Sequence, residues 1–261
     1  MQSDWRNVSD MYLDYLKSDD DRLRRELLDP IMVGEIAPPG KTILDLGCGE
    51  GYFSQAMRSI GAKQVVGVDI APALIESARR RDPAGSYEVY DIVPEPVHWP
   101  ATFDAVVAHM VMMDISNIDT AYAKISNSLL PLGRLVLSIV NPYYAYPVGS
   151  WRSAAPGGRS WRRLGKRAPS KSKYDTELTV TDYFGARLVS KRLGGMAEPV
   201  PHYHRQVADY INLATKHGLT LKSYLEPSLT AELAARYRGL YLAKSLTQVP
   251  LFLILTFEKQ G

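Results

Sequence analysis

Apolar positions along this chain recur at two spacings, and the change from one to the other marks out its elements. Over residues 4–37 apolar and charged residues alternate at helical spacing, and Asp29-Pro30 predicts a break between two helices. From residue 43 short apolar runs take over, each bounded by glycine or proline and followed by a helical stretch. They predict strands over 43–47, 65–70, 87–92 and 103–109, with helices over 52–60, 72–81 and 118–130, the second opened by Pro72. Pro131-Leu132-Gly133 reads as a turn before a fifth strand over 134–141. After a long intervening segment the pattern resumes with a helix over 205–217 stopped by Gly218, a sixth strand over 219–226, a helix over 229–247 and a last strand over 250–257. Strands alternating with helices in this order make an α/β protein with a parallel sheet.

The first strand runs into Gly47-Cys48-Gly49-Glu50-Gly51, where backbone can turn sharply and pass close to a ligand, with the amides of the next helix start pointing at it. The second strand ends in Asp69, an acceptor for a ribose diol. Nicotinamide and adenosyl cofactors both present that diol. The spacing here is G-x-G-x-G rather than G-x-G-x-x-G, and Asp45 stands two residues before the first glycine. A carboxylate repels a pyrophosphate and attracts the α-ammonium of a methionine moiety, so the charge pattern favours S-adenosyl-L-methionine over a dinucleotide.

With these pieces in place the chain resembles the class I S-adenosylmethionine-dependent methyltransferases, through ILDLGCGEGYFS, VVGVDIAP, YEVYDI, FDAVVAHMVMMDI and LLPLGRLVLSIVNP in that order. SDWRNVSDMYLDYLKSDDD and HYHRQVADYINLATKHGLTLKSYLEP also look like a bacterial subgroup acting on small molecules. The resemblance implies a Rossmann-like fold with a mostly parallel seven-stranded sheet, its last strand antiparallel and inserted beside strand six. It implies one domain over 1–261, made of a helical lid (1–40), a cofactor-binding core (41–141 and 205–261) and a substrate-cap insertion after strand five (142–204). Gly47, Cys48 and Gly49, with Asp45, would hold the methionine part, Asp69 the ribose and Ile70 the adenine face. Asp91 would meet the adenine amino group and Ile92 supply a backbone contact. Tyr15, with Trp5 and Tyr12, is expected to close on the sulfonium.

Methyl transfer needs alignment and exclusion of water more than a dedicated base, but a histidine is the natural proton acceptor if the nucleophile is a phenol, an amide nitrogen or an acidic carbon. His109, at the end of strand four, and His204 are the catalytic candidates, with His109 also against the cofactor. His202, Tyr143, Tyr144, Trp151 and Tyr183 are the candidate acceptor contacts. Asn141-Pro142-Tyr143-Tyr144 is similar to the motif of amino-methylating enzymes of bases, but it follows strand five rather than strand four. Asp114 and Asn141 are too few to hold a metal, and no metal is expected. The single cysteine, Cys48, rules out an intrachain disulfide and sits where backbone rather than thiol acts.

Composition narrows the partners. The formal charge of +3 does not by itself imply a polyanion, although Arg152, Arg159, Arg162, Arg163, Lys166, Arg167, Lys171 and Lys173 form a run with no acid, interleaved with Trp151 and Trp161. Residues 174–193 alternate enough for a β-hairpin or short strands. No segment approaches the roughly 20 apolar residues of a membrane helix, and Asp4, Asp10 and Asp14 stand where a signal peptide needs a basic start, so a cytoplasmic monomer or homodimer is expected. The expected reaction is transfer of methyl to O, N or C of a small-molecule acceptor, of natural-product type, with S-adenosyl-L-homocysteine as product. A nucleic-acid partner is not expected. The alternatives are an RNA or carrier-protein substrate bound by the 151–173 run, and a cofactor-retaining cyclase or binding protein.

Overall fold

A computed structural model describes residues 4–144, 149–153, 176–191, 193 and 196–261. A 3-10 turn at Trp5–Asn7 leads into α1 (Ser9–Tyr15) and α2 (Asp19–Ile36), then β1 (Thr42–Leu46), α3 (Tyr52–Ser59), β2 (Gln64–Asp69), α4 (Pro72–Arg81), β3 (Ser86–Val89), β4 (Phe103–His109), α5 (Ile118–Ser128) and β5 (Leu129–Val140). Four short strands follow, β6 (Gly149–Ser153), β7 (Thr176–Val180), β8 (Arg187–Lys191) and β9 (Val200–His204). The chain ends with α6 (Val207–Lys216), β10 (Leu219–Leu225), α7 (Ala231–Arg236), α8 (Tyr241–Leu246) and β11 (Phe252–Lys259).

Seven strands form one sheet in the order β10-β11-β5-β4-β1-β2-β3, parallel except for β11, which runs antiparallel to both β10 and β5. This is the Rossmann-like arrangement with an antiparallel last strand that the sequence implied. Strand order reverses between β1 and β4, which opens a crevice at their carboxyl ends. Alternate residues of each strand serve opposite faces. Ile43, Ala105, Val107 and Val136 pack under Leu23, Leu27, Leu28, Met32 and Ile36 of α2 and Phe53 and Met57 of α3. Leu44, Leu46, Val106, Ala108, Leu135 and Leu137 pack under Ile118, Ala121, Tyr122 and Ile125 of α5 and Val207, Tyr210 and Ala214 of α6.

Several boundaries differ from the sequence reading. The expected break at Asp29-Pro30 does not occur: Pro30 lies inside a continuous α2. A proline there forfeits one backbone bond, but five apolar residues on both sides of it are buried on one face, and their packing outweighs that loss. The helix ends instead at Ala37, whose φ of 48° is left-handed, ahead of Pro38-Pro39. The turn at 131–133 is an interruption within β5 rather than its start. Leu129 pairs with Phe103 and Arg134 with Ala105, so four residues face one across that gap. The helix expected over 229–247 is two short helices separated around Gly239.

Among its described residues the 174–193 segment forms short strands, one of the two arrangements its alternation allows, and not a hairpin. β7 pairs with β6 and β8 with β9, both antiparallel, as two separate ribbons. β9 is tied to the core where Tyr203 N–H donates to the Met113 carbonyl at 2.7 Å. Arg152 and Trp151 lie in β6, while Trp161 and the basic run from Arg159 to Lys173 lie outside the described residues. Among the described residues no helix is long and apolar enough to cross a membrane.

Candidate functional site

The crevice at the strand ends holds a cavity of about 370 Å³, a size suited to a small-molecule cofactor or substrate. Its floor is the turn after β1. Gly47, Gly49 and Gly51 have φ of 70°, 56° and 80°, and the amides of Gly47 and Cys48 both donate to the Val68 carbonyl at 2.8 and 2.9 Å, holding the turn against β2. A Cβ on Gly47 would lie 2.4 Å from Val111 Cγ2. On Gly49 its nearest neighbour would be Tyr12, at 3.9 Å, so it would project into the cavity. The second glycine keeps open a cradle that any side chain would fill.

Asp69 stands at the wall of the cradle. Its Oδ2 accepts from Gly49 N–H at 3.0 Å and its Oδ1 from Ala71 N–H at 2.9 Å. Those bonds, with a further backbone donor at Ile70, fix the carboxylate without using all of its roughly four lone-pair directions, so it retains acceptor capacity. Burial pushes its pKa up, against the pull of the backbone donors. Ile70, Asp91 and Ile92 continue the same wall. Asp91 also accepts from Arg6 Nη2 at 3.2 Å, which brings the Trp5–Asn7 turn across that end of the cavity. These residues fit an adenosyl group: apolar walls for a base, a fixed carboxylate for a diol and a Cβ-free turn for the chain beyond.

The residues that close the cavity above the glycine turn are Trp5 and Tyr12, in edge-to-face contact at 5.0 Å. Tyr15, expected there, stacks behind Tyr12 at 6.1 Å and does not line the cavity. Opposite them lie Met110, Val111, Asp114, Ile115, Pro201 and Tyr203. Met110 has a φ of 60°, strained for a residue with a side chain, at the point where β4 opens into the cavity wall. The 110–116 loop is held by Arg205, buried, whose Nη2 donates to the carbonyls of Ile115 and Ser116 at 2.6 and 2.8 Å.

A small pocket beside the glycine turn is lined by Arg24, Asp45, Cys48, Glu50, Tyr52 and His109. Asp45 accepts from Ser54 Oγ at 2.5 Å, and burial raises its pKa to about 7, with Asp69 adding to the rise and the Ser54 bond opposing it. Burial also pushes the Cys48 thiol well up, so it stays protonated and is no nucleophile.

The histidines differ from expectation. His109 reaches both pockets, but its ring is held on both nitrogens: Nδ1 lies 2.6 Å from Ser138 Oγ and Nε2 3.0 Å from Asp29 Oδ1. Burial lowers its pKa. A base needs a lone pair aimed at substrate, and this ring ties α2 to β4 instead. His204 donates from Nε2 to the Tyr183 carbonyl at 2.8 Å and does not line the cavity; burial lowers its pKa too. His202 is buried behind the wall, its Nδ1 3.7 Å from Asp114. Tyr143 stacks on Tyr183 at 4.6 Å, and Tyr144 lies beside it at 6.3 Å, so these form an aromatic cluster apart from the cavity lining. Trp151 is placed by its backbone pairing with Leu178. Asn141 is buried, donating to Glu226 Oε1 at 3.2 Å. Sequence reasoning missed Arg6, Arg24 and Tyr203, which no spacing ties to the glycine turn; only chain folding does.

Residues 38–175, more than half of the chain, match a family described as methyltransferase domain. Among curated proteins, the chain is 32% identical over 116 residues to malonyl-[acyl-carrier protein] O-methyltransferase of Serratia marcescens, which covers 44% of this chain and 45% of that protein. It is 38% identical over 101 residues to ribosomal protein L11 methyltransferase of Cupriavidus taiwanensis, covering 38% and 32% of the two chains. The matched part thus spans less than half the length of these relatives. Among solved structures, an S-adenosylmethionine-dependent methyltransferase from Mesorhizobium loti shares the fold at a TM-score of 0.71, with 21% identity over 88% of this chain and 96% of that one.

Proposed function

The chain belongs to the methyltransferase-domain family, and from this we propose that it transfers a methyl group from S-adenosyl-L-methionine to a small-molecule acceptor. The observation that carries the reading is the pairing of the open Gly49 cradle with the Asp69 carboxylate fixed on its wall. When bound, the cofactor supplies a carbon already activated by sulfonium and leaves as S-adenosyl-L-homocysteine.

The protein's part is to bind, align and keep water out. Asp69 accepts the ribose hydroxyls with its remaining lone pairs. Ile70 would pack on the adenine, Ile92 would supply a backbone contact, and Asp91, which also accepts from Arg6, would take the adenine amino group. Gly47 to Gly51 carry the methionine part, with Asp45 near its ammonium. Trp5 and Tyr12 present aromatic faces that favour a cation and shield it from solvent. Met110, Val111, Ile115, Pro201 and Tyr203 form an apolar wall suited to a flat acceptor. Pro201 and Tyr203 come from the 142–204 insertion, which we assign as the acceptor cap of a single domain. No histidine faces the cavity with an uncommitted nitrogen among the described residues, so a proton acceptor, where the nucleophile needs one, is solvent or a carboxylate of the wall such as Asp114.

Calorimetric titration with S-adenosyl-L-methionine, S-adenosyl-L-homocysteine and NADH, followed by a methyl-transfer screen over phenols, amines and a short RNA, tests the reading. Binding of both adenosyl ligands without NADH, and turnover of a small acceptor, is expected. No adenosyl binding would overturn it, and turnover of RNA alone would overturn the acceptor class. Asp69→Ala is expected to cost about 1–3 kcal/mol of adenosyl-ligand affinity through lost charge-assisted bonds.

A further inference from the structure

The cavity wall opposite Trp5 and Tyr12 is built from Met110, Val111, Ile115, Ser116, Pro201 and Tyr203, and it carries one carboxylate, Asp114. The Asp114 side chain is only 10% exposed, so it has given up most of its hydration among apolar neighbours. Its place is fixed by backbone bonds on both sides of it. Asp114 N–H donates to the Val111 carbonyl at 2.8 Å, and the Met113 carbonyl accepts from Tyr203 N–H at 2.7 Å. Arg205 takes the carbonyls of Ile115 and Ser116 at 2.6 and 2.8 Å. His202, which does not line the cavity, stands behind the carboxylate with Nδ1 3.7 Å from Oδ1, too far for a hydrogen bond. The loop thus presents a charged group held in place before any ligand arrives.

The charges of the cavity show what that group can receive. Asp4 and Asp91 share the Arg6 guanidinium at 2.9 and 3.2 Å, and Arg6 is the only lysine or arginine lining the cavity among the described residues. No such cation therefore stands in the wall that holds Asp114. Burial is the main cause that raises the Asp69 carboxyl, and Asp114 adds to the rise, so the two carboxylates repel within the cavity that both line. An anionic acceptor would meet like charge here, and a neutral one would bring no counter-charge. An ammonium would bring it, and the ring of Tyr203 offers that cation a favourable face.

We propose that Asp114 makes this an amine site: its carboxylate receives the ammonium of the acceptor, aims the nitrogen at the methyl group to be transferred and takes the proton that the nitrogen must lose. The inference rests on the proposed use of S-adenosyl-L-methionine and adds the chemical class of the acceptor. The ammonium gives one proton to a carboxylate oxygen, a loss that a sulfonium nearby favours because it is a second positive charge. The freed lone pair forms the N–C bond as the C–S bond breaks, and the electron pair of that bond stays on sulfur. The acceptor leaves as a methylated ammonium, and Asp114 returns its proton to solvent.

The test is calorimetric titration of the full chain, saturated with S-adenosyl-L-homocysteine, with phenethylamine, 2-phenylethanol and 3-phenylpropanoate, which share a skeleton and differ in charge. The amine is expected to bind about tenfold or more tightly than either of the others. In Asp114→Asn that advantage should vanish, leaving the three within about threefold, while affinity for S-adenosyl-L-homocysteine also stays within about threefold, which shows that the variant is folded. Asp114→Glu, which keeps the charge, should still favour the amine. In the methyl-transfer screen the acceptors turned over should be amines, and Asp114→Asn should lower kcat/KM for them about 100-fold or more. The inference is overturned if the native protein shows no preference for the amine, if the preference survives in Asp114→Asn, or if phenols are turned over and amines are not. An equal loss of amine and S-adenosyl-L-homocysteine affinity in Asp114→Asn also overturns it, by assigning the carboxylate to the cofactor. Failure of the native protein to bind S-adenosyl-L-homocysteine would instead overturn the proposed function itself.

Discussion

Asp45 is a buried acid whose pKa near 7 makes it sensitive to pH in the neutral range. Its folded value lies above that of the unfolded chain, so the native state holds a proton that the unfolded state gives up between about pH 4 and 7. Stability from this group is full below that window and falls as pH rises through it, with a slope of at most about 1.4 kcal/mol per pH unit. In Asp45→Asn, which can still accept from Ser54, the fall in denaturation midpoint between pH 5 and 8 should shrink; an unchanged fall would show that Asp45 titrates elsewhere. The glycines of the same turn separate folding from binding. Gly47→Ala combines a left-handed φ with a contact of 2.4 Å to Val111 and should cost roughly 2–4 kcal/mol of stability. Gly49→Ala meets nothing closer than Tyr12 at 3.9 Å, so its stability loss should be about 1–2 kcal/mol. Its main effect should be a loss of about tenfold or more in S-adenosyl-L-homocysteine affinity, because the methyl group fills the cradle. Thermal unfolding and calorimetry on the two variants distinguish these outcomes, and wild-type affinity in Gly49→Ala would contradict the position given to the ligand.

Helix α2 is fastened to the sheet at polar points as well as by its apolar face: Asp29 takes both His109 Nε2 and the Tyr52 hydroxyl, and near its end Glu35 accepts from Thr256 Oγ1 of β11 at 2.6 Å. His109→Ala should therefore cost about 1–3 kcal/mol and speed amide exchange in α2, while strands β1 and β2 exchange as before. Unchanged exchange in α2 would reduce His109 to a filler. The same helix shows what was legible in the sequence. Strands β1, β2 and β4 are legible because each is a short apolar run that ends in a glycine or a polar group at the crevice, and Asp69 follows from that ending. The continuity of α2 through Pro30 is not, because local chemistry favours a break and only burial of Leu27, Leu28, Met32 and Ile36 overrides it. Tyr12 and Tyr15 are three residues apart on one face of α1, and which of them meets the cavity depends on how that helix sits on the sheet. His204 looked like a base from its neighbours in sequence. Its bond to the Tyr183 carbonyl depends on a residue 21 positions away, which no local pattern encodes.

At the scale of the whole molecule, the cavity is assembled from segments far apart in sequence. The first residues close it over Asp91, the loop after β4 forms one wall, and β9 brings Pro201 and Tyr203 to the other side. The junction between the second and third of these is Tyr203 N–H on the Met113 carbonyl and the Arg205 guanidinium on Ile115 and Ser116. None of these contacts touches the glycine turn or Asp69, so the wall proposed for the cofactor and the wall proposed for the acceptor are held by different bonds. Arg205→Met keeps the length of the side chain and removes every donor, leaving the carbonyls of the 110–116 loop to find other partners. It should cost about 1–3 kcal/mol of stability and speed amide exchange across the loop. Affinity for S-adenosyl-L-homocysteine should stay within about threefold, while kcat/KM for the acceptor found in the screen falls by about tenfold or more, since a displaced wall misaligns the nucleophile. Equal losses in the two measurements would mean that the walls are one mechanical unit. A selective loss would place acceptor choice in the contact between the insertion and the β4 loop, where the apolar wall and the buried cation meet.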